Sequence, residues 1–418
     1  MKIKVLHLSH TDGNSGAGRA AYRIHKSLLD IGVDSTMLVS QKRSFDSRVS
    51  ILSNNLVGQF LIKIKEYLEA RIAKNLARDG SVFLSLARYS QYRASRINKL
   101  FKVDVVTLYW VNGAFMLPED IKKIKQPIVW RLSDAWPFTG GCHYPGKCGR
   151  FEQHCGNCPQ LSSPSEKDSS SQLWERKFDS FKELDLTIVA PSNWMAGLAK
   201  SSSLFANFPI KVIPTGVDLE LYSPRDVNEA RNHFGLPLNC KIILFGAMSP
   251  EDDKRKGYLE LLTALQVVAD ADLSKNIMAV LFGNNSDLNI NLPIPSVSVG
   301  RLNNDNDLAN LYSCADIVAV PSLEDNLPNI ALESLACGVP VVGFDVCGMS
   351  DIVKNDFNGR LVDVEKPQEL GNTMIEILSS SKTLSKMSYN SREYAELHFD
   401  LKNQALAFKS LYHSLLTK

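Results

Sequence analysis

The chain has no apolar run approaching the roughly 20 residues needed to span a bilayer. Its opening residues, Met1-Lys2-Ile3-Lys4-Val5-Leu6-His7-Leu8-Ser9, lack the long apolar core and small-residue cleavage site of a secretory leader. They read as a buried strand, and the expectation is a cytoplasmic protein with reduced thiols. An excess of one charge is also missing: 47 Lys and Arg stand against 45 Asp and Glu, a net charge of +2. A nucleic-acid binder carries a larger, clustered basic excess, so no nucleic-acid partner is expected. There is no short internal repeat and no low-complexity tract, which excludes solenoid and disordered classes.

What is present is ordinary globular composition, 44% apolar and 22% charged over 418 residues, a length that favours two domains. The strand Val5–Leu8 runs into the glycine-rich loop Thr11-Asp12-Gly13-Asn14-Ser15-Gly16-Ala17-Gly18-Arg19 and then into a helix with Ala20, Ala21, Ile24, Leu28 and Leu29. Further buried strands are read at 33–39, 103–108, 128–132 and 186–190. The pattern restarts with strands at 241–246, 277–283, 317–320 and 339–344, separated by helical periodicity. Strands alternating with helices predict doubly wound parallel sheets, an α/β fold. The domain expectation is 1–210, with a final helix at 400–418 packing back on it, and 211–399. That last helix follows Asp400, a good N-cap, and carries Leu401, Ala405, Phe408, Leu411 and Leu415 on one face.

The segment from Leu56 to Lys102 is rich in Lys and Arg, including Lys63, Lys65, Arg71, Lys74, Arg93 and Arg96, against Glu66, Glu69 and Asp79. Val57, Phe60, Leu61, Ile64, Leu68 and Ile72 recur in it at helical spacing. Two readings stand: a basic amphipathic helix lying on anionic lipid, or a core-facing helix with a solvated basic face.

The stretch from Val320 to Val342 carries most of the chemistry. A strand ends at Val320, and a loop with Glu324, Asp325, Asn326 and two prolines follows. A helix then opens near Pro328 or Asn329 and closes at Gly338. Loops at the carboxyl ends of parallel strands are where such folds bind ligands. A helix N-terminus offers unpaired amides and a positive dipole end, which suit a diphosphate; those of Asn329 and Ile330 are the candidates. Glu333 stands one turn further on the same face, placed to accept two hydrogen bonds from a ribose diol.

This stretch resembles the signature of family 4 of the glycosyltransferases, the retaining group of GT-B fold, in which an acidic residue, seven others and a Glu mark the donor site. Asp325 and Glu333 take those places, with Asp where the family usually has Glu. Other positions agree. Gly16 and Gly18 match the N-domain glycine loop, and Lys256-Gly257 matches the pair whose Lys binds diphosphate. Gly348-Met349-Ser350-Asp351-Ile352-Val353 resembles a further family loop. Ala247 replaces a frequent Arg, with Arg255 as a neighbouring substitute for the charge. Many relatives have a His before an Asp in the N-domain; here Ser133 precedes Asp134.

The resemblance implies two Rossmann-like domains facing across a cleft. It implies a nucleotide-sugar donor, UDP- or GDP-linked, and a glycan acceptor, lipid-linked in the bacterial exopolysaccharide and O-antigen subgroup. Asp325, Lys256 and Asp134 are the implied catalytic residues. Gly16, Gly18, Arg255, Lys256, Asn329, Ile330 and Glu333 are the implied donor-binding set. No cofactor is expected for catalysis. The competing classes are a non-catalytic nucleotide-sugar-binding relative and another GT-B enzyme such as an epimerase.

Cys142, Cys148, Cys155 and Cys158 crowd into one loop after Asp134. In a reducing compartment that density is read as a structural zinc site, with four unligated thiols as the alternative.

Overall fold

The computed structural model describes residues 2–13, 15–51, 53, 55–78, 83–91, 97–99, 101–246, 253–271, 276–283, 292–302 and 304–417. The chain divides into two compact units, Met1–Gly216 with Leu401–Lys418, and Val217–Asp400.

The first unit is a seven-stranded sheet: β1 (Lys4–Thr11), β2 (Asp34–Gln41), β3 (Val49–Ile51), β4 (Val105–Leu108), β5 (Ile128–Arg131), β6 (Leu186–Ala190) and β7 (Ile210–Val212). The spatial order is β3-β2-β1-β4-β5-β6-β7, and every pairing is parallel. Sequence order reverses between β1 and β4, so the crevice beyond their carboxyl ends is the switch point where such sheets bind ligands. The helices are α1 (Gly16–Asp30), α2 (Leu56–Leu76), α3 (Pro118–Ile121), α4 (Ser169–Phe181) and α5 (Asn193–Ser201).

Ser15 caps α1 by accepting from the Gly18 amide at 3.1 Å. The helix then buries Ala21, Ile24 and Leu28 against one face of the sheet. The other face is filled by aromatics, among them Trp130, Trp136, Phe138, Phe181 and Phe205, all fully buried.

The second unit has α6 (Val227–His233), α7 (Tyr258–Ala269), α8 (Asp305–Cys314), α9 (Asn329–Ala336), α10 (Met349–Ile352), α11 (Pro367–Ser379) and α12 (Ser381–His398). They surround a parallel sheet of β8 (Lys241–Gly246), β9 (Ile277–Phe282), β10 (Ser296–Ser298), β11 (Ile317–Val320), β12 (Val341–Phe344) and β13 (Gly359–Val362). Its order, β10-β9-β8-β11-β12-β13, puts the switch point between β8 and β11. The last helix, α13 (Leu401–Leu416), returns to the first unit. There Ala405, Phe408 and Leu415 join the α1 side of the core, and the Tyr412 hydroxyl meets Thr107 Oγ1 at 2.8 Å.

The strands read from the sequence are present within a few residues of the expected bounds. Strands β3, β7, β10 and β13 were missed. They are short, and β7 and β10 carry little buried apolar surface, so no periodicity marks them.

Two histidines are sealed under α1. His25 hydrogen-bonds Ser35 Oγ at 2.6 Å, and His7 hydrogen-bonds the Tyr109 hydroxyl at 2.9 Å. Burial lowers both, His25 from the usual 6.5 to about 4. The unfolded chain therefore takes up protons below pH 6.5 that the folded chain refuses. The stability these residues carry is complete above that pH and is lost as pH falls toward 4. Chemical denaturation midpoints should fall across that window, and the fall should be shallower in His25→Gln, which keeps a partner for Ser35.

Candidate functional site

In the second unit the site is built where β8 and β11 part. A short helical turn, Lys254–Lys256, ends in Gly257 at φ 66°. A Cβ at Gly257 would collide with the Pro321 carbonyl oxygen, so glycine alone lets this turn lie against the loop after β11. The Leu323 amide donates to the Arg255 carbonyl at 2.7 Å and locks turn to loop. Across that junction Lys256 Nζ donates to Asp325 Oδ2 at 2.6 Å. Two residues 69 positions apart, expected to serve leaving group and sugar, are thus directly paired. Arg255 turns to Asp253 Oδ2 at 2.7 Å. Ala247 lies outside the described residues.

Helix α9 begins at the end of the same loop. Its N-cap is Pro328, whose side chain accepts no hydrogen bond, so the first-turn amides at Asn329 and Ile330 have no side-chain cap there. Both residues are half-buried. Glu333 is 2% exposed and accepts the Tyr312 hydroxyl at 3.0 Å. Burial together with that carboxylate pushes Tyr312 well up, so it stays a donor. Tyr312 was not legible because it sits on α8. Cys347, at φ 53°, was not either: its sulfur accepts the Asp325 amide, and burial raises the thiol to about 12.

In the first unit Gly16 opens α1 and is exposed, while Gly18 is buried. A Cβ at Gly18 would stand 2.7 Å from Thr11 Cγ2 and 2.8 Å from the Gly13 carbonyl, so the loop closes only on glycine. At the carboxyl end of β1, His10 Nε2 meets Glu66 Oε1 at 3.0 Å, and its ring stands edge-on to Trp110 beyond β4. Beyond β5, Asp134 is buried. Its Oδ1 accepts the Trp136 amide at 2.9 Å, and its Oδ2 meets His143 Nδ1 at 2.6 Å.

The zinc expectation is not supported. Cys142, Cys148, Cys155 and Cys158 line one small cavity with Phe151. Yet among the described residues no group of three or more His, Cys, Asp or Glu is arranged to hold a metal. Burial raises Cys142 and Cys158, and takes Cys155 to about 11. Two buried polar side chains hold the loop. Buried Lys177 donates to the carbonyls of Trp136 and Thr139 and lies 3.6 Å over the Trp136 ring. Asp168 caps α4 and accepts the Cys158 amide at 2.8 Å.

Lys177→Met strands two buried carbonyls, at a cost of about 2–3 kcal/mol. A melting temperature lower by roughly 4–10 °C is expected, with no shift on adding EDTA to the unaltered protein. A large EDTA-induced drop would restore the metal reading.

Residues 226–394 match the family model described as Glycosyl transferases group 1. A D-inositol 3-phosphate glycosyltransferase of Corynebacterium glutamicum (strain R) is 28% identical over 222 residues, 50% of this chain and 52% of the relative. One of that name from Corynebacterium jeikeium (strain K411) is 28% identical over 328 residues, 73% and 71% of the two chains. The chain spans about half the length of most of the curated relatives it matches. Among solved structures, sucrose-phosphate synthase of Thermosynechococcus elongatus superposes with TM-score 0.67 at 15% identity over 100% of both chains. Anabaena HepE in complex with UDP-glucose gives 0.62 at 16% identity over 99% and 100%. The fold is GT-B, two Rossmann-like parallel α/β units.

Proposed function

We propose, on the premise that residues 226–394 form a glycosyl transferases group 1 domain, that this chain is a retaining glycosyltransferase using a nucleotide-sugar donor. The observation that carries the reading is the convergence of Lys256, Asp325, Glu333 and the uncapped start of α9 at the switch point of the second sheet.

The reaction asks for stabilisation of a nucleoside diphosphate whose charge grows as the glycosidic bond breaks. Lys256 and the amides of Asn329 and Ile330 supply it. Glu333, held by Tyr312, takes the ribose diol. When the diphosphate draws Lys256 away, Asp325 is released to hold sugar hydroxyls. The donor is a UDP- or GDP-hexose, and HepE, which is crystallised with UDP-glucose, favours the former. The acceptor is a glycan of the lipid-linked kind used in bacterial surface polysaccharide.

Screening nucleotide sugars by thermal shift, then following nucleoside diphosphate release, tests this directly. Glu333→Ala should weaken donor binding roughly ten- to a hundredfold, the loss of a charge-assisted bond to a buried partner. Lys256→Ala should lower kcat more than it raises the donor KM. Normal donor affinity in a folded Glu333→Ala protein would remove that residue from the site.

Peripheral membrane contact is the second element, and α2 favours it. The last turns of this helix pack Ile72, Ala73 and Leu76 inward, but the turns before them are inverted. Its inner face carries Glu66, bonded to His10, Ser40 and Gln41, and Glu69, which accepts the Leu86 and Arg88 amides. Its outer face carries Leu56 at 84%, Phe60 at 64% and Leu61 at 51% exposure, with Val57, Ile64 and Tyr67 also exposed. By the 100° step of a helix, Lys63, Arg71 and Lys74 share that outer side, matching an anionic lipid surface. Arg93, Arg96 and Asp79 lie outside the described residues, among which no helix is long and apolar enough to cross a membrane.

Vesicles of phosphatidylcholine with phosphatidylglycerol should sediment the protein, and pure phosphatidylcholine should do so far less. Phe60→Ser with Leu61→Ser should abolish the effect. Equal binding by that variant would return α2 to an ordinary surface helix.

A further inference from the structure

The loop after β5 folds back on itself. The Ala135 amide donates to the His143 carbonyl at 2.9 Å, and the His143 amide donates to the Phe83 carbonyl at 3.0 Å. Leu84 and Cys142 form an antiparallel bridge. This brings Ser85, 58 residues away in sequence, to His143: Ser85 Oγ lies 2.9 Å from His143 Nε2. With the 2.6 Å contact from His143 Nδ1 to Asp134, three side chains form an unbroken series, Asp134, His143, Ser85.

Their burial is graded. Asp134 and His143 are 6% and 4% exposed, and Ser85 is half-buried at the outer end. His143 Nδ1 faces two groups, the Asp134 carboxylate at 2.6 Å and the donor-only Trp110 Nε1 at 3.4 Å. The much shorter contact to the carboxylate sets a proton on Nδ1, and in the neutral ring Nε2 then accepts from the Ser85 hydroxyl. With its proton committed inward, the Ser85 oxygen is left to accept from outside.

The backbone of Ser85 is pinned as well. Its amide donates to the Gly141 carbonyl at 2.9 Å, and its carbonyl accepts Trp136 Nε1 at 2.8 Å. Glu69 holds the Leu86 and Arg88 amides next to it at 2.9 and 3.0 Å. Those bonds count against a serine-hydrolase reading: the amides of Ser85 and Leu86, the nearest oxyanion donors, are already spent. Beside the relay, the half-buried Trp110 ring stacks on His143 at 5.8 Å.

We propose that Ser85 is an acceptor-contacting residue, its oxygen accepting a hydrogen bond from a hydroxyl of the acceptor sugar. Asp134 and His143 are positioning residues that fix the direction of the Ser85 hydroxyl. Ser133 stands where a histidine was expected from the resemblance, and His143 comes to Asp134 from the loop instead. The inference rests on the transferase reading above and names the substrate class met by the first unit.

The test uses the full chain with UDP-glucose. Methyl β-D-glucoside, methyl α-D-mannoside and D-inositol 3-phosphate serve as acceptor probes. Ser85→Ala should raise the acceptor KM about ten- to thirtyfold, with donor KM and acceptor-free donor hydrolysis unchanged. His143→Leu should behave likewise. His143→Gln should recover most of the loss, because one terminal amide can donate to Asp134 and accept from Ser85. Asp134→Asn should raise the acceptor KM by a similar factor, because it frees the imidazole to take the wrong tautomer.

An unchanged acceptor KM in folded Ser85→Ala overturns the inference and leaves the transferase reading intact. So does the failure of every probe to raise diphosphate release above the acceptor-free rate. No release from UDP-glucose, alone or with a probe, and none from the other donors screened, overturns the transferase reading itself, and this inference with it. Should His143→Leu not fold, Ser85→Ala decides.

Discussion

Both sheets are parallel throughout, and that constraint organises the rest. In a parallel sheet every strand leaves by the same edge, so the loops that carry polar groups gather there. The strand interiors spend their own amides and carbonyls on neighbours. In each unit the order reverses once, and successive loops depart to opposite sides at that point. Gly18 in one unit and Gly257 in the other stand beside these gaps. Each is a place where backbone meets backbone or side chain too closely for a Cβ.

Around the first unit's edge, order is imposed by buried carboxylates more than by apolar packing. Asp12 accepts the Arg43 and Ser44 amides, Glu69 the Leu86 and Arg88 amides, and Asp168 those of Cys158, Ser170 and Ser171. Charge-assisted bonds of this kind are stronger than neutral ones and stiffen loops that lack a hydrophobic pattern. The same device shapes α2: Glu66 and Glu69 are held inside along with Ile72, Ala73 and Leu76, while Leu56, Val57, Phe60, Leu61 and Ile64 are exposed. It also anchors the cysteine loop, through Asp168 and the Cys158 amide.

How much of this the sequence showed follows from the range of the interactions. The doubly wound architecture was legible because each central strand is a continuous apolar run, such as 317–320, bounded by turns. Asp325, Asn329 and Glu333 were legible because one loop and one helix hold them all. His143 was not, since its partners lie nine residues before it and 58 residues before it, on segments with no shared pattern. Tyr312 and Glu333 come from different helices, and a short motif cannot contain that contact. Helix α2 shows a third limit. Its period was plain, but periodicity reports that two faces differ and not which one is turned inward. The zinc expectation rested on density in sequence, which does not report how the thiols are arranged in space.

The pairing of Lys256 with Asp325 joins two assignments that the sequence kept apart. Lys256 is 40% exposed and Asp325 17%, so solvent screens the bond and its net worth is about 0–1 kcal/mol. On the transferase reading proposed above, a contact that weak would be exchanged for the multiply charged diphosphate of the donor. The pair keeps both side chains aimed across the β8–β11 gap and spares each an uncompensated charge while it waits. The shorter Asp in place of the Glu usual in the family then has a physical reading. Without the extra methylene its carboxylate already reaches Lys256 at 2.6 Å, across a junction closed by the Gly257 turn against Pro321.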